Sequence, residues 1–276
     1  MKKFGLFLKE NKLFTFLCIL VLILIAVAML APWISPNDPF KSNMANSLQG
    51  RSSKFPLGTD NLGRCVFSRL LYGGQNSLKM TFSLVILVFV IGTAVGTTAG
   101  YLGGVIDNII MRFSDIFLAF PGIIFAIAIA GVLGPSSTNT VIALIVVNWV
   151  KYARVSRSLV MSVREKDYIK LARMGGARKY QLILKYVVPN IIPSLIVMAT
   201  MDIGTMMLEI SSLSFLGLGP QPPTPEWGYM LNEGRSYMQT SPGLMVYPGI
   251  AIFITVMVFN LLGDSIRDIL DPKKEY

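Results

Sequence analysis

A chain of 276 residues that is 53% hydrophobic and 14% charged lies far below the roughly 25% charged content of soluble domains, and reads as an integral membrane protein. Its net charge of +10 belongs, on such a protein, to loops on the cytoplasmic side rather than to nucleic-acid binding. With no histidine, and with Cys18 and Cys65 in unlike surroundings, the chain has no ligand spacing for zinc or haem and no disulfide framework.

The basic start MKKFGLFLKENK is followed by the apolar run Leu13–Ile34, which is about a bilayer long and longer than a signal-peptide core. Pro-Trp-Ile-Ser-Pro follows instead of a small-residue cleavage site, so the run is expected to stay as a transmembrane helix. Further apolar segments lie near Leu78–Tyr101, Ile109–Leu133, Thr138–Val150 (running on toward Ser156), Ile191–Phe215 and Leu244–Leu262. The fourth is short before Lys151 and needs tilt or snorkelling.

Six crossings put both termini on one side. With the N-terminus inside, eighteen Lys and Arg fall on the inner side, ten of them from Lys151 to Lys185, against six outside. Both termini are therefore predicted to be cytoplasmic. The first outer segment is the exception, carrying Lys41, Arg51, Lys54, Arg64 and Arg69. The expected organisation is residues 1–75 as a transmembrane helix with an outer segment. Residues 76–276 then form a core of five transmembrane helices, with a cytoplasmic loop at 163–190.

That loop contains DYIKLARMGGARKYQLILKYVVPN, residues 167–190. Tyr168, Leu171, Ala172 and Gly175 fall on one helix face. Gly175-Gly176 permits a sharp turn. A second amphipathic helix carries Leu182, Ile183 and Tyr186, is expected to end at Pro189, and is followed by Asn190 opening the fifth span. On the residues alone, such a basic helix–turn–helix serves an anionic lipid surface or a protein partner equally well.

In the fifth span Asp202 and Glu209 are seven residues apart, on one helix face and about 10 Å apart along the axis. Acids inside a membrane face a cavity or a partner. They form either a carboxylate track for a cationic solute or structural bonds to neighbouring helices. Met198, Met201, Met206 and Met207 cluster nearby, and thioethers suit packing better than they suit nickel. Asp107, Arg112 and Asp115 are expected to pair within the fold, as are Asp264, Arg267, Asp268 and Asp271. The segment Pro220–Met238, with Trp227, is expected outside, as an outer gate, a docking surface or an interfacial anchor. No GxxxxGK[ST] loop and no nucleophile–base set occurs.

The 167–190 segment resembles the cytoplasmic coupling loop of ABC-importer permeases, whose pattern is Glu-Ala-Ala, three residues, Gly, then a later Pro-Asn. Ala172, Gly176, Ala177, Pro189 and Asn190 fit it, whereas Lys170 and Leu171 depart from it. PLGTDNLGRCVFSRLLYG (56–73), AGYLGGVIDNIIMRFSDIFLAFPGI (99–123), SFLGLGPQPPTPEWGYML (214–231) and FNLLGDSIRDILDP (259–272) are similar to the second permease subunit of the dipeptide, oligopeptide and nickel branch, with Cys65 departing where Asp is usual. The resemblance implies an all-α, six-helix type I importer permease in a prokaryotic cell membrane. It also implies a second permease, two ATPase subunits and an extracytoplasmic binding protein as partners. ATP and Mg would sit on the ATPases and no cofactor on this chain. Tyr168, Leu171, Ala172, Gly175, Gly176, Ala177, Pro189 and Asn190 would then couple to the ATPase, and Asp202, Met206 and Glu209 would line the translocation path. TMDIGTMMLEISSLSFLGLG (200–219) is more similar to nickel-type than to peptide-type permeases, which favours nickel or a small metal chelate, with peptide as the alternative.

Overall fold

The structure, a computed structural model, describes residues 11–270. The basic residues before Asn11 and the expected pairing of Asp271 lie outside that range. Within it the regular secondary structure is helical apart from one isolated bridge, Thr59 to Cys65.

Helix α1 (Lys12–Met29) is broken at Leu30 and continues as one turn, α2 (Ala31–Ile34), with Pro32 in its first turn. The outer segment then folds back on itself through a 3₁₀ turn at Met44–Asn46. Gly63 has φ +72°, and a Cβ there would stand 1.8 Å from the Asn43 carbonyl oxygen, so only glycine closes this turn.

Helix α3 (Val66–Leu102) is 37 residues long, roughly 55 Å against a hydrocarbon core of about 30 Å. It starts twelve residues earlier than the apolar run predicts, and its outer third is a mast for the outer segment. It stops at Gly103 and Gly104, both at positive φ. The expected single span Ile109–Leu133 is instead two helices, α4 (Gly104–Leu118) and α5 (Gly122–Leu133), bent 85° at the break. Pro121 disfavours helical backbone at Phe120, which ends α4.

Helix α6 (Ser137–Arg164) is capped by the Ser136 side chain, which accepts from Thr138 N at 3.2 Å. Its 28 residues, about 42 Å, place Lys151 in mid-helix rather than at a membrane boundary. Two short helices follow, α7 (Asp167–Met174) and α8 (Lys179–Leu182). A π turn (Ile183–Val187) then leads without interruption into α9 (Val188–Phe215). Pro189 therefore does not end the preceding helix, as expected from sequence. The wider π turn, with Val188 N donating to Ile183 O, makes room for the ring. A short α10 (Trp227–Arg235) precedes α11 (Gly243–Leu270).

Among the described residues α1, α3, the Lys179–Phe215 rod and α11 are long and apolar enough to cross a membrane, and the bent α4–α5 pair makes a fifth span if counted as one. Helix α6 is long enough but not apolar enough, and it is the helix packed most extensively against α3. Small residues make that contact close: Gly92, Gly96 and Gly100, one turn apart, lie against the backbone of Trp149, Ala153 and Arg157. The main core gathers side chains of α3, α6, α9 and α11, including Leu84, Val88, Tyr152, Met206, Met207 and Phe259.

Candidate functional site

At the end of the bundle where the cations concentrate, α7 sits on a core of its own. Ile169 is fully buried with Val160, Val163, Leu182, Val187 and Ile191, and Ala172 and Ala177 pack against the same group. The opposite side of α7 stays open: Tyr168 is 39% exposed, Leu171 66% and Met174 84%. The face expected from sequence therefore divides. Tyr168 and Leu171 point outward with Met174, and Ala172 turns inward. Ile169, which lies off the periodic set, is the anchor.

The turn after α7 is closed by Gly176 N donating to Arg173 O and Ala177 N donating to Ala172 O, both at 3.1 Å. Gly176 supplies φ +86°, whereas Gly175 is at an ordinary −71°. At the far side Asn190 Nδ2 donates to Tyr186 O at 2.6 Å. The Pro189 ring has no N–H to give, and the Asn190 side chain supplies a donor in the same turn. Asn190→Ala is expected to speed amide exchange across 183–190 by a factor of about five, the equivalent of one lost hydrogen bond of roughly 1 kcal/mol. Hydrogen-exchange mass spectrometry of this segment checks it.

In mid-bundle α6 offers polar groups to both sides. Lys151 Nζ pairs with Asp202 Oδ1 at 2.6 Å, and Asn148 Nδ2 donates to Glu209 Oε2 at 2.7 Å. On the other flank Arg154 pairs with Asp115 and Arg157 with Asp107. The α4 acids thus pair within the fold as expected, but with arginines of α6 rather than with Arg112. Neither Asp202 nor Glu209 stands bare. The second oxygen of Asp202 and the Tyr152 hydroxyl are both buried without a hydrogen-bond partner among the described residues. Met206 is 2% exposed and packs in the core. Beside the Lys151–Asp202 pair a cavity of about 530 Å³ opens between α6, α9 and α11, lined also by Met198, Met201 and Arg267. No three His, Cys, Asp or Glu side chains converge as metal ligands among the described residues.

The opposite end carries an ordered cap. Arg64 donates to Asp60 at 2.7 Å and to Glu233 at 2.8 Å, while Arg69 reaches Glu233 at 2.5 Å and Asp60 at 3.3 Å. Burial works against the Arg64 charge, but Asp60 and Glu233 outweigh it and raise the proton affinity of the guanidinium. Two of the five cations that weakened the orientation rule are thus neutralised structural groups, as Arg154 and Arg157 are on the inner side. Removing all four leaves the asymmetry standing. Trp227 is buried, and its Nε1 donates to Leu70 O at 2.8 Å, so it is a packing residue and not a membrane anchor. Glu226, fully buried, caps α10 by accepting from Gly228 N and Tyr229 N, and also accepts from Ser77 Oγ at 2.8 Å.

A polar central helix thus lies inside an apolar bundle, with a seated amphipathic helix at one end and an ion-paired cap at the other. Residues 92–276 match the family described as the binding-protein-dependent transport system inner membrane component, and residues 4–50 match the N-terminal transmembrane domain of oligopeptide transport permease C. The chain belongs to this family of ABC-importer permeases. Among its relatives is the dipeptide transport system permease protein of Alkalihalophilus pseudofirmus, 42% identical over 96% of this chain and 88% of that one. The nickel transport system permease protein of Escherichia coli K12 is also 42% identical, over 92% of each chain. The glutathione transport system permease protein of Pectobacterium atrosepticum is 43% identical over 92% of this chain and 84% of that one. In fold the chain is similar to the methionine ABC transporter in an inward-facing conformation, with TM-score 0.60 and 21% identity over 74% of this chain and 98% of that one. The chain is accordingly a multi-pass membrane permease and not an enzyme.

Proposed function

We propose that the chain is one of two permease subunits lining a shared pore, that paired ATPase subunits drive it through α7, and that an extracytoplasmic binding protein delivers its cargo. The observation that carries this is α7 itself. Its inner side is socketed through Ile169 and its outer side leaves Tyr168, Leu171 and Met174 open. Large apolar side chains on a firmly seated helix need a covering partner, and a helix with a fixed seat transmits displacement, which a helix floating on lipid does not. Alternating access needs an element whose contacts differ between two states. Gly176 sets the angle of that element, and the π turn with Pro189 and Asn190 connects it to α9. ATP and Mg belong to the partner subunits.

The proposed cargo is a small metal chelate, nickel first, on the similarity of residues 200–219. A di- or tripeptide is the second reading, favoured by the equal identity to the dipeptide relative. The test is uptake by the assembled importer in proteoliposomes, with ATP inside and the binding protein outside, offering labelled nickel–histidine chelate or labelled dipeptide. ATP-dependent uptake of one cargo is expected. Tyr168→Ala with Leu171→Ala is expected to insert normally, to hydrolyse ATP, and to lose uptake by at least about tenfold, since each removes an interface anchor of roughly 1 kcal/mol or more. Full ATP-driven uptake by the double variant would remove α7 from the mechanism.

A further inference from the structure

We propose that Lys151 and Arg267 form a carboxylate-binding site on the wall of the 530 Å³ cavity, with Asp202 as the residue that positions Lys151. The inference rests on the importer reading and names the chemical class of its cargo: a solute presenting a free carboxylate, whether a peptide C-terminus or an uncoordinated carboxylate of a metal chelator.

The argument begins with charge. Asp202 is buried, its side chain 6% exposed, while the Lys151 side chain bonded to it is 55% exposed. The carboxylate is thus hidden behind the ammonium, and the cavity meets the cation. Arg267 lines the same cavity, is exposed, and has no ion pair among the described residues. Two cations against one concealed acid leave the wall net positive. This reverses the sign expected from Asp202 alone, and a bare divalent cation would be repelled.

Spacing comes next. Helices α9 and α11 run antiparallel, with Gly204 against Asn260 and Gly263 against Met201. Arg267 is one turn past Gly263, so it lies about 6 Å further than Asp202 toward the end that carries α7. The two cations are stacked along the cavity, one in mid-bundle and one nearer its inner mouth. Arg267 offers a planar fork and Lys151 a mobile point charge, which suits handing a carboxylate from one to the other. The apolar lining from Val197, Met198 and Met201 adapts to varied side groups.

Two measurements on the assembled importer test the site. The first is protection of Lys151 from acetylation, read by mass spectrometry on the unaltered protein. The probes are alanyl-alanine, glutathione and nickel–histidine, each set beside a counterpart without free carboxylates: alanyl-alanine amide, glutathione diethyl ester and nickel–histidinamide. At least one acid is expected to protect Lys151 while its counterpart does not. The second is uptake by Arg267→Gln, an exposed position where folding is not at stake. Uptake of the protecting acid is expected to fall by about tenfold or more, the effect of one charge-assisted contact, with uptake of its counterpart unchanged. Protection by no acid beyond its counterpart, or equal loss of both in Arg267→Gln, overturns the site. Absence of ATP-driven uptake for every probe in the unaltered complex would instead overturn the importer reading, so the two failures are distinguishable.

Discussion

Replacing Gly96 by leucine is expected to prevent the permease from folding. A Cβ at this position would stand 2.1 Å from the carbonyl oxygen of Ala153 and 2.8 Å from its carbonyl carbon. These are backbone atoms of α6 and cannot swing aside. Gly92 is similarly placed, its Cβ 2.6 Å from Trp149 O, and Gly100 has its Cβ 2.8 Å from Arg157 O, so separating α3 from α6 at one glycine lifts all three contacts. Overpacking of this kind costs on the order of 3 kcal/mol or more, and in lipid no hydrophobic drive between helices compensates for lost close packing. The expected readout is loss of monodisperse protein on extraction in detergent, with Gly96→Ala intermediate. Gly131→Ala is the control, because nothing lies within 4 Å of its Cβ. A stable Gly96→Leu protein would mean that α3 and α6 do not meet as described.

Glu233→Gln is expected to free the outer cap without unfolding the bundle. It leaves Arg64 and Arg69, whose side chains are only 1% and 2% exposed, sharing Asp60 alone. Removing one partner from a buried ion cluster costs roughly 3–5 kcal/mol, mostly through the charge left uncompensated. The loss falls on the outer segment because Asp60 and Arg64 belong to it, while Arg69 and Glu233 hold the ends of α3 and α10. Limited trypsin digestion should then cut at Arg51 and Lys54 much faster than in the unaltered protein, with the α3–α6 and α9–α11 regions remaining intact. Unchanged cleavage would show that the turns at Gly58 and Gly63 hold the cap without the ion cluster.

Much of this architecture is legible in the chain. Apolar runs long enough to span a bilayer locate α1, α9 and α11, and the helical period from Tyr168 to Gly175 with the following glycines locates α7 and its turn. Other features are not legible, for particular reasons. The outer third of α3 is written in polar and small residues, RLLYGGQNS, which read as a loop because the Trp227 ring that fills the space over Gly73 and Gly74 comes about 150 residues later. The bend between α4 and α5 did have a local signal, Phe-Pro-Gly at 120–122, but the apolar residues on both sides of it masked it. The apolar part of α6 reads as short before Lys151, and the helix as running on only toward Ser156, because the acid that pairs with Lys151 in mid-helix, Asp202, is 51 residues away. Ile169 was missed as an anchor because an eight-residue helix offers too few turns to separate a buried stripe from an exposed one.

The charges of α6 bear on how the chain is assembled as well as on how it stands. Lys151, Arg154 and Arg157 each oppose entry of an isolated helix into lipid by about 2.5–3.5 kcal/mol at its centre. The acids that offset Arg154 and Arg157 lie upstream on α4, but the acid that offsets Lys151 lies on α9 and is synthesised later. On that ground α6 is expected to gain a stable place in the membrane only once α9 supplies Asp202, with the glycine face of α3 as its support until then.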